Sequence, residues 1–87
     1  MIEELEESGI KILMYLYRKP DEVLEHIRVD LKMGYSTVYR ALRILEAKKL
    51  IIERVESGRH HFSLTEKGEK LAKVLELANK ILKEEPT

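Results

Sequence analysis

The sequence contains no cysteine, no tryptophan and no glutamine, and a single asparagine, Asn79. Without cysteine there are no disulfide staples and no thiolate zinc sites, and the chain suits a reducing compartment. No apolar run reaches the length of a membrane span, and the acidic start does not read as a secretory signal, so a cytoplasmic protein with no membrane partner is expected. With only four glycines, none clustered, there is no glycine-rich phosphate loop. Few thermolabile amides beside many Glu and Lys resemble archaeal or thermophile usage.

What is present is a hydrophobic fraction of 44%, too high for a disordered tail. The length of 87 residues supports one small domain, 1–87, around one core. The formal net charge is zero, but it is unevenly spread. Residues 1–31 carry four basic and eight acidic groups, residues 32–60 seven basic and three acidic, and residues 61–87 five of each. Local charge sets the field that a phosphate backbone meets, so the basic middle segment outweighs the neutral total.

Hydrophobic spacing divides the chain. Ile10, Leu13, Met14, Leu16 and Tyr17 predict a first helix, with Ser8 as N-cap and Pro20 as terminator; residues 1–7 could extend it. Asp21 is expected to cap a second helix with Val23, Leu24, Ile27 and Leu31 as its apolar positions. After Lys32 to Gly34, a third helix is predicted over about 35–48. "LIIERVE" and "RHHFSL", joined by Ser57-Gly58, alternate with period two and predict a two-stranded hairpin. Thr65 then caps a last helix over 66–84, in which Leu71, Leu75, Ala78 and Leu82 are spaced as a short coiled-coil seam.

The third helix is unusual. Val38, Ala41, Leu42 and Leu45 form its apolar stripe, while Ser36, Tyr39, Arg40 and Arg43 occupy the opposite face with no acid before Glu46. Helices two and three have the proportions of a helix-turn-helix, whose second helix offers its outer face to the DNA major groove. Arginine can hydrogen-bond guanine O6 and N7 together, and hydroxyls reach phosphates or base edges. A carboxylate there would repel phosphate, which accounts for the missing acids. The plain alternative is a solvated face on which Arg43 pairs with Glu46 at i, i+3. Tyr39 could equally pack at an interface, and Tyr35 could staple the helix start.

"STVYRALRILEAKKLI" followed by "RHHFSLTEKG" closely resembles the winged helix-turn-helix transcription regulators of bacteria and archaea, the MarR-, ArsR- and PadR-like groups. The resemblance runs from about Ile10 to Leu75. It implies a mostly α fold with a small β-hairpin wing, a recognition helix over 35–48, and a wing at 56–60 carrying Arg59. Double-stranded DNA is then the expected partner, contacted by Lys32, Tyr35, Ser36, Thr37, Tyr39, Arg40, Arg43, Arg59 and His60. Two positions depart from the family, which usually has glycine where this chain has Lys32 and Lys49. If both are left-handed, each costs about 1–2 kcal/mol.

The last helix carries more apolar surface than one groove of a small domain can bury. A homodimer is expected, with Leu71, Leu75, Ala78 and Leu82, joined by Ile2 and Leu5, at its interface. His60 and His61 are neighbours on a strand and point to opposite faces, so they do not share an ion, and neither a metal nor a cofactor is expected. No nucleophile–base pair suggests an enzyme. A sequence-specific DNA-binding regulator, most simply a dimeric repressor, stands against a winged-helix module that binds protein within a larger assembly. No residue identifies a small-molecule effector.

Overall fold

The computed structural model describes residues 2–85. A 3-10 turn, Ile2–Leu5, leads into α1 (Glu6–Arg18), followed by β1 (Glu22–Val23), α2 (Leu24–Leu31), α3 (Tyr35–Ala47), β2 (Ile51–Glu56), β3 (Arg59–Leu64) and α4 (Glu66–Leu82). The apolar stripe of α3 lies fully inside: Val38, Ala41, Leu42 and Leu45 are each at most 3% exposed. They meet Ile12, Leu13 and Leu16 of α1 and Ile27 of α2, and Ile51, Phe62 and Ala72 close the core. On α1, Ile12 and Tyr15 also enter it, whereas Ile10, Met14 and Tyr17 stay half-buried at its edge. The burial stripe is thus rotated from the expected one, because both α2 and α3 pack against α1.

Three local expectations are corrected. Ser8 does not cap α1; the helix begins at Glu6 directly after the 3-10 turn, which brings Leu5 inside at 3% exposure. Asp21 does not cap α2. Its carboxylate accepts from Arg54 at 3.0 Å and stands 3.6 Å from His61, while Val23 serves as the N-cap position. The residues between form β1, so the sheet has three antiparallel strands, ordered β1-β3-β2, with Glu22 opposite Phe62 and Val23 opposite His61. Two residues carry no legible period, and this strand exists only because β3 offers it a free edge.

The junctions follow from backbone chemistry. Lys32 (φ 54°) and Lys49 (φ 60°) are both left-handed. At each helix end the amides fold back in a Schellman arrangement: Met33 N–H donates to Arg28 O at 3.0 Å, and Leu50 N–H donates to Leu45 O at 3.0 Å. Ser57 (φ 51°) and Gly58 (φ 76°) make the two-residue loop between β2 and β3, with Glu56 opposite Arg59. Thr65 caps α4: its hydroxyl accepts from the Gly68 N–H at 3.0 Å and donates to Lys49 O at 2.7 Å. Tyr15 ties α1 to α2, its hydroxyl donating to Asp30 at 2.6 Å. Burial pushes the Tyr15 phenol up, and the bonds from Tyr15 and Lys19 hold the Asp30 carboxyl down.

A candidate nucleic-acid interface

The outer side of α3 is exposed from its first turn. Tyr35, Ser36, Thr37, Tyr39, Arg40 and Arg43 all face solvent, and Lys32 is exposed just ahead of them. Gly34 occupies the N-cap position and supplies no side-chain acceptor, and the first turn holds no acid. The leading amides of α3 are therefore left for an outside acceptor, and the helix dipole favours an anion there. By contrast α4 opens with the Thr65 cap and the acids Glu66 and Glu69.

Two flanks define this face. On one, Tyr35 and Tyr39 stack with centroids 6.4 Å apart, and the Arg43 guanidinium lies 4.8 Å from the Tyr39 ring centre while donating to its hydroxyl. Arg43 also reaches Glu46 at 3.3 Å, the i, i+3 pair foreseen from the spacing. Across a cleft of about 230 Å³ stand His60 and Phe62 of β3 and Glu53 of β2, with Glu53 2.6 Å from His60 Nδ1. Tyr35 lies beside the wing loop and shares a second hollow with Gly58, Arg59 and His60. The recognition-helix residues and the wing residues expected from sequence thus come together on one side of the molecule. On the other flank, Ser36, Thr37 and Arg40 share a shallow notch with Glu6 and Ser8, and Arg40 donates to the Glu6 carboxylate.

Lys49 lies beside Thr65 and α4, its carbonyl accepting from the Thr65 hydroxyl, and it lines a hollow with Lys67 and Leu71. Lys48 bonds Glu4 at 2.6 Å, and this contact holds the Glu4 carboxyl down at about 2. Neither Glu4 nor Glu6 stands out in the sequence as part of this face, since they precede their partners Lys48 and Arg40 by 44 and 34 positions. His60 and His61 engage different acids, Glu53 and Asp21. Among the described residues, no three His, Asp or Glu side chains converge as a metal site requires.

No family model and no curated protein matches the chain. Solved structures do. ZitR of Lactococcus lactis superposes with a TM-score of 0.82 at 26% identity, over 93% of this chain and 63% of that one. MepR of S. aureus gives 0.79 at 30% identity, over 87% and 58%. The chain has the winged helix-turn-helix fold. FabT of Streptococcus pneumoniae, solved in complex with DNA, shares the fold with a TM-score of 0.77 at 21% identity, over 85% and 54%. These neighbours are winged-helix transcription regulators of the MarR family. This winged-helix chain spans a little over half to just under two thirds of their lengths. α2 and α3 form its helix-turn-helix, and β2, β3 and their Ser57-Gly58 loop form its wing.

The expected dimer residues separate into three groups. Leu5 belongs to the monomer's own core and is removed from the interface set. Leu71 and Leu75 are half-buried against that core, while Ile2, Ala78 and Leu82 are exposed. The seam read from sequence therefore changes role along its length. The outward apolar surface of α4 is instead Val74, Leu77 and Ile81, each 56–62% exposed, with Leu82 at 83%.

Proposed function

We propose that this chain is a sequence-specific double-stranded DNA-binding transcription regulator acting as a homodimer in the cytoplasm, most simply a repressor. One observation carries the reading: α3 exposes aromatic, hydroxyl and guanidinium groups, with no acid before Glu46, on the side where Arg59 and His60 project from the wing. Arg43, steadied over the Tyr39 ring, is suited to a bidentate contact with guanine. Tyr35, Ser36, Thr37 and the uncapped amides at the start of α3 suit phosphate oxygens, as does Lys32. Arg40 lies next to them on the same face. Arg59 and His60 suit the flanking backbone. That FabT was solved with DNA supports the same class of partner.

The dimer reading rests on Val74, Leu77 and Ile81, spaced three and four apart along the exposed side of α4. A twofold dimer would present two recognition helices about 34 Å apart to a palindromic site.

Selection of bound sequences from a random duplex pool, followed by affinity measurements at several salt concentrations, tests the reading. Arg43→Ala is expected to weaken the selected site roughly ten- to a hundredfold if it reads a base. A phosphate role would weaken all duplexes alike. Arg59→Ala should reduce affinity and make the salt slope shallower by about one unit, with the fold intact. Unchanged affinity in both variants would remove the recognition-helix and wing assignments. A second reading, a winged helix that binds protein, draws on the acid partners of Arg40 and Arg43 in the free chain. Absence of salt-dependent duplex binding would favour it.

A further inference from the structure

Two acids at the entrance to α1 bond two cations on or just past α3: Lys48 donates to Glu4 at 2.6 Å, and Arg40 donates to Glu6, the first residue of α1. Leu5, between them, is buried to 3% and pins this short stretch against the core. Glu6 has a φ of 61°, a left-handed conformation that side-chain-bearing residues adopt only under constraint. The Arg40–Glu6 pair does not repay that strain as stability. The two side chains are 69% and 40% exposed, and solvent-exposed ion pairs add little. A strained residue whose contact contributes little to stability points to function.

The surroundings of Arg40 indicate what that function is. Its notch is shared with Ser8, Ser36 and Thr37, three hydroxyls beside a guanidinium at the open start of α3. These are donors of the kind that grip phosphate oxygens, and among the described residues lining the notch Glu6 is the one that brings a carboxylate to them. A carboxylate on arginine mimics the charge and bidentate geometry of a phosphate. We propose that Glu6 occupies, in the free protein, the seat that a DNA backbone phosphate takes on Arg40, so that the start of α1 is a built-in competitor of DNA. This rests on the DNA-binding reading above. Duplex must displace Glu6 to reach Arg40, and the Leu5 anchor and the Glu4–Lys48 bond keep the competitor in reach. The device lowers affinity for all phosphate backbones, so that non-specific duplex is held less and base contacts weigh more.

The test is a double-mutant cycle on the full chain. Affinity for a selected duplex is measured by fluorescence anisotropy at two salt concentrations for wild type, Glu6→Gln, Arg40→Ala and the double variant. Glu6→Gln is expected to bind about two- to fivefold more tightly, with a salt slope steeper by about one unit. In the Arg40→Ala background the gain should vanish. Equal affinity of wild type and Glu6→Gln overturns the proposal while leaving the DNA reading in place. A gain that survives Arg40→Ala overturns it too, since Glu6 would then act through its general field. Unfolding of Glu6→Gln, seen by circular dichroism, would make the carboxylate structural and also overturn it. Failure of both wild type and Glu6→Gln to bind any duplex at low salt overturns the DNA reading together with the competitor.

Discussion

Lys32 and Lys49 are two lysines in the same backbone state with different surroundings. Both end a helix in the left-handed region, where glycine carries no Cβ penalty. Lys32 is exposed at the entrance to α3, while Lys49 sits beside Thr65 and α4. Lys49→Gly should therefore stabilise the fold by about 1 kcal/mol, the left-handed penalty less the extra freedom of glycine when unfolded. It should leave duplex affinity unchanged. Lys32→Gly should stabilise similarly but weaken duplex binding and lower its salt slope by about one unit. Thermal melts and anisotropy on the same samples check both statements. Loss of DNA affinity in Lys49→Gly would mean that the basic surface extends further round the molecule than α3 and the wing.

At the scale of elements, the placement of α3 depends on how α4 is attached. Thr65 bridges the two, its hydroxyl reaching Lys49 O while accepting from Gly68. The backbone of α4 comes so near that a Cβ on Gly68 would lie 2.1 Å from Leu50 O. Moving the carbonyl aside would disturb the bond that Leu50 O accepts from Thr65 N–H at 3.0 Å. Gly68→Ala should thus destabilise at the upper end of the 1–3 kcal/mol typical of overpacking, or about 3 kcal/mol. Chemical denaturation is the measure, and a change under about 0.5 kcal/mol, the scatter of ordinary surface substitutions, would show that α4 shifts freely. The wing is the opposite case. Its turn residues are exposed, so substitutions there act on affinity with the fold retained.

For the whole molecule, the principal extents are 53 × 26 × 22 Å, and the second half of α4 stands clear of the core. Its first half is held by Gly68, Ala72, Leu71 and Leu75, but from Leu77 onward every described residue is exposed. Apolar side chains on such a projecting helix need a cover. Leu77→Glu with Ile81→Glu should convert a dimer into a folded monomer, since neither residue belongs to the core. Duplex affinity should fall sharply as the second recognition helix is lost. Analytical ultracentrifugation at micromolar concentration reads the change. A wild-type monomer that saturates DNA at one chain per site would end the dimer model. Substituting Leu75, part of the seam read from sequence, would damage the monomer core as well and could not separate the two effects.

Much of the fold is legible in the sequence. The period of α3 named all four of its core residues, the Ser57-Gly58 signal located the wing, and Thr65 marked the start of α4. These rest on local rules: side-chain periodicity, turn conformation and capping depend on residues a few positions apart. The charge split between residues 1–31 and 32–60 was also visible, but not its meaning. Only tertiary structure brings Glu6 onto Arg40 and Glu4 onto Lys48, because these contacts span 34 and 44 positions. The same holds for β1, which needs the edge of β3, and for Leu5, which the 3-10 turn carries inward. A seam at spacing four and three looks uniform in a sequence. Which of its residues faces the monomer and which faces outward is decided by where α4 leaves the core, and no local rule contains that point.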